Sequence, residues 1–352
     1  MLLPQSATAV LVALVIGLLG WSAWVSFFKA GKKIRFEFFA YDFAWGVVLA
    51  TVVAAFTLGS WDSKELTFQD NFLLTGMRKM AWAAGSGMVF NLANLLLLAA
   101  TAVAGSAVAF SIAFGLAWAV GGVVTYFTQP DVNPLLAFGG AGVTFLAAVL
   151  AMVAYAWLLA EKAHSEDVAL RADPRAKGAP QSESALKGIF LAVVSGLAFG
   201  GFFPMMAEAT TGDNGVSAYG YALLVAGAVF GSSIVLVPFF LNFPVKGKAL
   251  SVAQYVKIPL GHHLLGLAGG VVWSVGLLGG LLHLGVAASA EVSPVVIYLL
   301  NHGTPVLTTL LGLLVWGEFR GAPTRATAMA GAVLALLIAG TAMLAVAPVN
   351  GR

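Results

Sequence analysis

The sequence contains no cysteine and very little charge. Without cysteine among its 352 residues, the chain cannot form a disulfide framework, a thiolate nucleophile or a cysteine metal site. Asp, Glu, Lys and Arg together make up 9% of the residues, whereas a soluble domain averages about 25%. A water-exposed surface cannot be built from so little charge, so we expect the chain to be surrounded by lipid. The net charge of +3 comes from basic residues in short loops and does not indicate a nucleic-acid partner.

Apolar residues make up 60% of the chain and occur in long blocks. Between Trp82 and Ala160, the only charged residue is Asp131. Continuous apolar runs indicate helices rather than the alternating strands of a barrel. We therefore predict an all-α integral membrane protein. Its transmembrane helices should number about ten, since blocks of about 20 residues cross a hydrocarbon core of roughly 30 Å. The predicted spans are Ala7–Phe28, Ala40–Gly59, Met80–Ala104, Ser106–Phe127, Asn133–Leu159, Gly188–Ala207, Gly215–Phe240, Leu260–Gly285, Ser293–Trp316 and Ala326–Ala347.

Lys and Arg are concentrated in alternate loops, which predicts the orientation. The loops after the first, fifth, seventh and ninth spans hold most of them. The positive-inside rule places these loops in the cytoplasm and both termini outside it. The expected location is the cell (inner) membrane, in a multi-pass arrangement.

A polar segment from Glu161 to Ser184 divides the chain. We predict a first five-helix repeat over 1–160, a cytoplasmic connecting loop over 161–186 and a second five-helix repeat over 187–352. Residues 84–91 resemble residues 267–274, and each block opens the third helix of its half. Five is an odd number, so two such repeats would be inverted relative to each other. This pattern is typical of secondary transporters whose site lies near the midplane.

Polar side chains within the predicted helices are the candidate solute ligands, because lipid makes each of them costly unless it is paired or faces water. Asn91 and Asn94 lie three residues apart on the third helix, hence on one face. Two amides could bind the carbonyl and N–H edges of a ureide or nucleobase, or a sugar hydroxyl. The alternative is an interhelical hydrogen bond that holds the bundle together.

The ninth predicted helix has a polar face formed by Tyr298, Asn301 and His302. Pro305 follows and predicts a kink, because proline removes a backbone hydrogen bond and crowds the preceding turn. We expect these three residues to line a solute cavity, and a buried structural network is the alternative. His302 is also a candidate proton carrier, since imidazole titrates near neutral pH.

Aromatic residues supply further candidates for solute binding. Trp273 lies deep in the eighth predicted helix, where its ring could stack on a solute and its indole N–H could donate, with Ser274 beside it. Trp21 and Trp24 on the first helix are further candidates, with Trp24 preferred, although tryptophans near span ends are commonly interfacial anchors.

Four residues are candidates for gating or coupling. Phe203 and Pro204 follow a Gly pair on the sixth helix, which suits a gate or hinge. Glu208 is either an exposed loop carboxylate or a coupling carboxylate at a cavity mouth. Asp42 opens the second helix, where a carboxylate also suits the helix dipole.

Enzyme motifs are lacking. The sequence has no Gly-x-Ser-x-Gly, no phosphate loop, and no histidine pair at metal-ligand spacing beyond the adjacent His262 and His263. We predict that the protein is not an enzyme and needs no cofactor or metal. His262, His263 and His283 are assigned no role.

Motifs near both ends of the chain resemble a known transporter group. Trp316–Gly317–Glu318 is followed by Thr324 and, in an apolar final helix, by Gly331. This arrangement resembles the end signature of the drug/metabolite transporter superfamily, which ten helices in two inverted halves also fit. The front of the chain is similar to the ureide permease family and to the neighbouring glucose/ribose porter family. The similar stretches are Gly20–Trp24, Lys29–Lys33, Tyr41–Phe43, Thr57–Gly59, Phe90–Asn94 and Thr125–Phe127.

The resemblance implies secondary, proton-coupled uptake of ureides and related heterocycles such as allantoin, uracil or uric acid. It implies a cavity lined by the first, third, fourth, sixth, eighth and ninth helices. Plant members have a phosphate-loop-like motif in a larger central loop, and Glu161–Ser184 has none. Two alternatives stay open: a glucose or ribose porter, and a non-transporting structural or sensory membrane protein. The expected partners are a small polar solute, a proton or other coupling ion, and the lipid bilayer. The sequence does not determine the oligomeric state.

Overall fold

The computed structural model describes residues 1–31, 34–61, 66–128, 132–172, 185–212, 214–284 and 286–349. Within these ranges the chain is helical and contains no β-strand. Short 3-10 segments cover Leu58–Ser60, Val252–Lys257 and Ala287–Glu291, and a π-helical turn covers Leu311–Val315. The α-helices are α1 (Ala7–Ala30), α2 (Phe36–Phe56), α3 (Phe68–Leu74), α4 (Met77–Ala104), α5 (Ser106–Thr128), α6 (Pro134–Ala172), α7 (Ala185–Thr210), α8 (Ala218–Asn242), α9 (Leu260–Leu281), α10 (Pro294–His302), α11 (Thr304–Leu310) and α12 (Thr324–Val346).

The predicted all-α membrane fold is confirmed. In the described part of the chain, 9 helices are long and apolar enough to cross a membrane. The number of such helices rises to 10 if the bent pair Pro294–His302 and Thr304–Val315 is counted as one span. The break in this pair lies at Gly303, so the predicted kink is also confirmed. Pro305 falls in the first turn of α11, where its missing N–H costs little.

The connection between the predicted repeats begins later than expected. Helix α6 continues to Ala172, so residues 161–172 of the predicted loop are helical. Charged residues such as Glu161 and Lys162 do not end a helix; they only mark where it leaves the apolar layer. Residues 173–184 of the predicted loop lie outside the described residues. The two inverted repeats, 1–160 and 187–352, stay a prediction.

The contacts divide the chain into two compact units. Unit 1 comprises Met1–Leu98 and Ala198–Thr304, and unit 2 comprises Ala99–Leu197 and Pro305–Arg352. Each unit therefore combines segments from both halves of the sequence.

In unit 1, glycines bring α9 into close contact with both α1 and α2. A Cβ added to Gly20 of α1 would lie 2.6 Å from the Cα atom of Gly276 on α9. A Cβ on Gly270 would collide with the Phe43 carbonyl of α2, and one on Gly266 would collide with the Asp42 side chain. Small residues allow this close approach. The resulting van der Waals packing holds the helices together, because lipid provides no hydrophobic driving force between them.

In unit 2, a carboxylate from the Trp316–Gly317–Glu318 motif caps helix α5. Glu318 accepts hydrogen bonds from the backbone N–H groups of Ser106 (2.7 Å) and Ala107 (2.7 Å) and from the Ser106 hydroxyl (2.8 Å). These N–H groups have no partner within the helix, and a carboxylate also suits the positive end of its dipole. Gly105, with φ 86°, forms the one-residue turn before α5 that leaves room for the carboxylate.

Candidate functional site

A cavity of about 160 Å³ lies in unit 1 near the C-terminal end of α9. Side chains from α1, α7, α9 and α10 and from the turn after α9 form its wall. The lining residues are Trp21, Phe203, Met206, Ala207, Thr210, Thr211, Gly280, Leu281, His283, Leu284, Asn301 and His302.

Three residues of this wall have a buried polar atom without a hydrogen-bond partner among the described residues. These atoms are the indole Nε1 of Trp21, the amide Oδ1 of Asn301 and the imidazole Nδ1 of His283. The amide nitrogen of Asn301 donates to the Gly280 carbonyl at 3.3 Å. This bond fixes the orientation of the amide and leaves Oδ1 as its unpartnered atom. A Cβ on Gly280 would lie 3.0 Å from Asn301 Oδ1 and 3.2 Å from the Trp21 ring. An amide acceptor and the carbon edge of an indole ring therefore lie beside Gly280.

Aromatic rings supply another part of the wall. His302 stacks on Tyr298 with ring centroids 3.8 Å apart and planes 7° from parallel. Its Nδ1 atom lies 2.9 Å from the Tyr298 carbonyl, and Phe203 lies 5.8 Å from its ring. Burial lowers the pKa of His283, although the Gly280 carbonyl opposes this effect.

Trp24 and Trp273, both predicted as solute-binding residues, lie in a buried aromatic cluster outside the cavity wall. Trp24 contacts Phe43 (5.0 Å between centroids), Phe43 contacts Trp273 (5.8 Å), and Trp273 contacts Phe90 (4.3 Å). Trp24 is 3% exposed and Trp273 4% exposed, so neither offers a free face to a solute in this conformation. The Ser274 hydroxyl donates to the Gly270 carbonyl of its own helix at 2.9 Å.

The two amides of α4 have different environments. Asn91 donates from Nδ2 to α8, at 2.8 Å from Ser232 Oγ and 3.0 Å from Ser233 Oγ. This is the interhelical bond that the sequence leaves open as an alternative. Asn94 is 1% exposed, and neither its amide nitrogen nor its oxygen has a partner among the described residues.

The gating and coupling candidates lie at three places in unit 1. Phe203 is in the cavity wall, and Pro204 lies inside α7, which continues through it. Glu208, whose side chain is 42% exposed, pairs with Lys79 at 3.2 Å. Asp42 is buried and has two partners on other elements, which are His263 on α9 and Tyr255 in the 3-10 segment before it.

The structure thus brings together only part of the predicted solute site. Asn301, His302 and Phe203 line one cavity, with Tyr298 stacked behind His302. His283, His263 and Tyr255 are the residues that the sequence motifs did not single out for a site. Trp21 was a candidate beside Trp24, as a tryptophan within the first span. Among the described residues, no group of three or more His, Asp or Glu side chains is placed to hold a metal ion.

No protein-family model matches the chain, and no curated protein matches it. A solved structure described as "Crystal structure of protein" is similar over 96% of each chain, with 17% sequence identity and a TM-score of 0.50. At this identity the likeness concerns the fold alone. The chain is a multi-pass helical membrane protein, and its bundle of apolar helices is consistent with a transporter.

Proposed function

We propose that the protein is a secondary active transporter, coupled to protons, for small polar heterocycles such as ureides (allantoin) or nucleobases (uracil, uric acid). The observation that carries the proposal is that three residues lining the unit 1 cavity have buried polar atoms without a partner among the described residues. Two of these atoms, Trp21 Nε1 and Asn301 Oδ1, form a pair of one donor and one acceptor. The resemblance of the front of the chain to the ureide permease family supports the same substrate class. We place the protein in the cell (inner) membrane with both termini outside.

The chemistry of this pair suits an amide edge. A cyclic ureide or uracil presents an N–H donor next to a C=O acceptor on a flat ring. Asn301 Oδ1 can accept from the former, and Trp21 Nε1 can donate to the latter. Leaving a buried polar group unpaired costs roughly 1–3 kcal/mol, so an analogue without this edge is disfavoured. The volume of about 160 Å³ suits a small solute, because drug-sized ligands need about 300–1,000 Å³.

The position of the cavity is compatible with alternating access. Trp273 lies seven residues before Gly280 on α9, about 10 Å along the helix axis. The buried cluster of Trp24, Phe43, Trp273 and Phe90 thus lies beside the cavity within unit 1 and serves as its inner barrier. Solute passage would require this cluster to rearrange, which is the role we assign to Trp24 and Trp273.

A sugar porter is the second candidate. Its supporting observation is the Trp21 ring in the cavity wall, because an indole face also packs against the C–H face of glucose or ribose. In the third alternative, a structural or sensory membrane protein, no solute would be bound or moved.

A thermal-shift screen of the purified protein with allantoin, uracil, uric acid, glucose and ribose tests the proposal. A bound solute stabilises the folded state by about 2.7 kcal/mol at a hundredfold excess over its dissociation constant. We expect the heterocycles to raise the melting temperature and the sugars not to. Stabilisation by the sugars alone would replace the first candidate with the second. The absence of any shift at solubility-limited concentrations would remove both.

A further inference from the structure

A cluster of the buried Asp42 and the partly buried His263 and Tyr255 lies near the N-terminal end of α9. The Nδ1 atom of His263 is 3.0 Å from each carboxylate oxygen of Asp42, and the Tyr255 hydroxyl donates to Asp42 Oδ1. The side chain of Asp42 is 5% exposed and that of His263 is 18% exposed. An acidic and a basic group thus share their hydrogen bonds within a largely dehydrated environment.

We propose that this cluster is the site that binds and releases the coupling proton. The inference rests on the proposed transport function and names the part of the molecule that performs the coupling. With neutral His263 donating from Nδ1, one further proton converts the pair into imidazolium and carboxylate. Loss of that proton restores the neutral imidazole, so the cycle consumes no other reactant.

Tyr255 links the cluster to a second cavity. This cavity has a volume of about 210 Å³ and is lined by Phe38, Tyr41, Ile234, Val237, Pro238, Leu241, Val252 and Tyr255. Burial raises the pKa of Tyr255 and the bond to Asp42 raises it further, so its hydroxyl keeps its proton and remains a donor. Tyr255 therefore stays a hydrogen-bond donor to Asp42 while it also borders this cavity.

Helix α9 connects the two sites mechanically. His263 and Gly280 are separated by seventeen residues, about 25 Å of helix. The close approach of Gly266 to Asp42 means that α9 cannot shift relative to α2 without disturbing the carboxylate. A change in the bond between His263 and Asp42 and a change at the solute cavity therefore act on the same rigid element.

Few other ionisable groups on the elements around Asp42 could replace it. The segment of α8 packed against α2 has only Tyr219 and Tyr221, near its opposite end. Glu37 forms a salt bridge with Arg35 at 2.6 Å. The remaining groups on the packed elements are Lys29, Tyr41, Lys257 and His262.

The test compares two modes of allantoin transport in proteoliposomes that contain the full chain. Counterflow at equal pH measures exchange alone, and uptake driven by an acidic exterior measures coupling. We expect the acidic exterior to raise wild-type accumulation severalfold. Asp42→Asn and His263→Gln should keep counterflow within about twofold of the wild type and lose this increase. Glu291→Gln, which alters an exposed carboxylate, should keep both.

Each result separates coupling from transport itself. Wild-type counterflow without a pH response, or with a response to a sodium gradient instead, overturns the inference and leaves the transporter. No counterflow at all overturns both. Gradient-driven uptake by Asp42→Asn at the wild-type level also overturns the inference. If neither variant folds, Tyr255→Phe replaces them. It removes one donor to the carboxylate, so the pH of half-maximal uptake should rise, and an unchanged midpoint overturns the inference.

Discussion

The substitution Trp21→Phe should weaken solute binding more than the small loss of ring packing weakens the ligand-free protein. The indole N–H is buried and has no acceptor among the described residues, so its removal breaks no bond in the protein. In the complex, the same N–H should donate to the solute. A neutral hydrogen bond contributes about 0.5–1.5 kcal/mol, so the dissociation constant should rise roughly two- to twelvefold.

The assay measures two quantities for each variant. The melting temperature of the ligand-free protein reports stability, and its dependence on allantoin concentration reports the dissociation constant. Trp61→Phe is the matched control, because Trp61 is 62% exposed and lies outside the cavity. It should change neither quantity.

Two results would refute the reasoning about Trp21. Unchanged allantoin affinity would mean that the indole N–H does not meet the solute. A large fall in the ligand-free melting temperature, with a loss of affinity no larger than that loss of stability explains, would mean that Trp21 acts by packing alone.

Four further predictions concern other parts of the chain. Gly280→Ala should weaken allantoin binding at least about fivefold in the same titration, because overpacking costs about 1–3 kcal/mol; full binding would contradict the placement of the site. Asn91→Leu should lower stability by roughly 1–3 kcal/mol and leave affinity unchanged, since it breaks an interhelical bond; reduced affinity alone would restore its predicted solute role. Glu318→Ala should destabilise by a similar amount through the uncapped helix, measured by thermal melting against Glu291→Ala. Burial lowers the pKa of His283, so below its ordinary value of 6.5 the unfolded chain takes up the proton first. Stability should then fall on acidification, and His283→Gln should flatten that slope.

The membrane fold could be predicted because each span follows from a local property. The length and apolarity of the runs predicted the ends of α1, α4 and α5 to within a few residues, and Pro305 predicted the break before α11. The extension of α6 to Ala172 was missed because hydropathy reports where a helix leaves lipid, whereas backbone hydrogen bonds decide where it ends.

The candidate sites were harder to predict because they depend on pairings that are distant in sequence. Tyr255 and Asp42 are 213 residues apart, and no local pattern links a 3-10 segment to a carboxylate on another helix. Asn91 and Asn94 share a face and a residue type, yet one is bonded to α8 and the other has no partner among the described residues. Spacing alone cannot separate those two roles.

The most direct test of the central claim is counterflow of radiolabelled allantoin into proteoliposomes preloaded with the unlabelled compound. The account predicts transient accumulation above protein-free vesicles, competition by uracil but not by glucose, and loss of accumulation in Gly280→Ala. Accumulation that Gly280→Ala leaves intact would contradict the proposed site, and uptake no faster than in protein-free vesicles would contradict the proposed function itself.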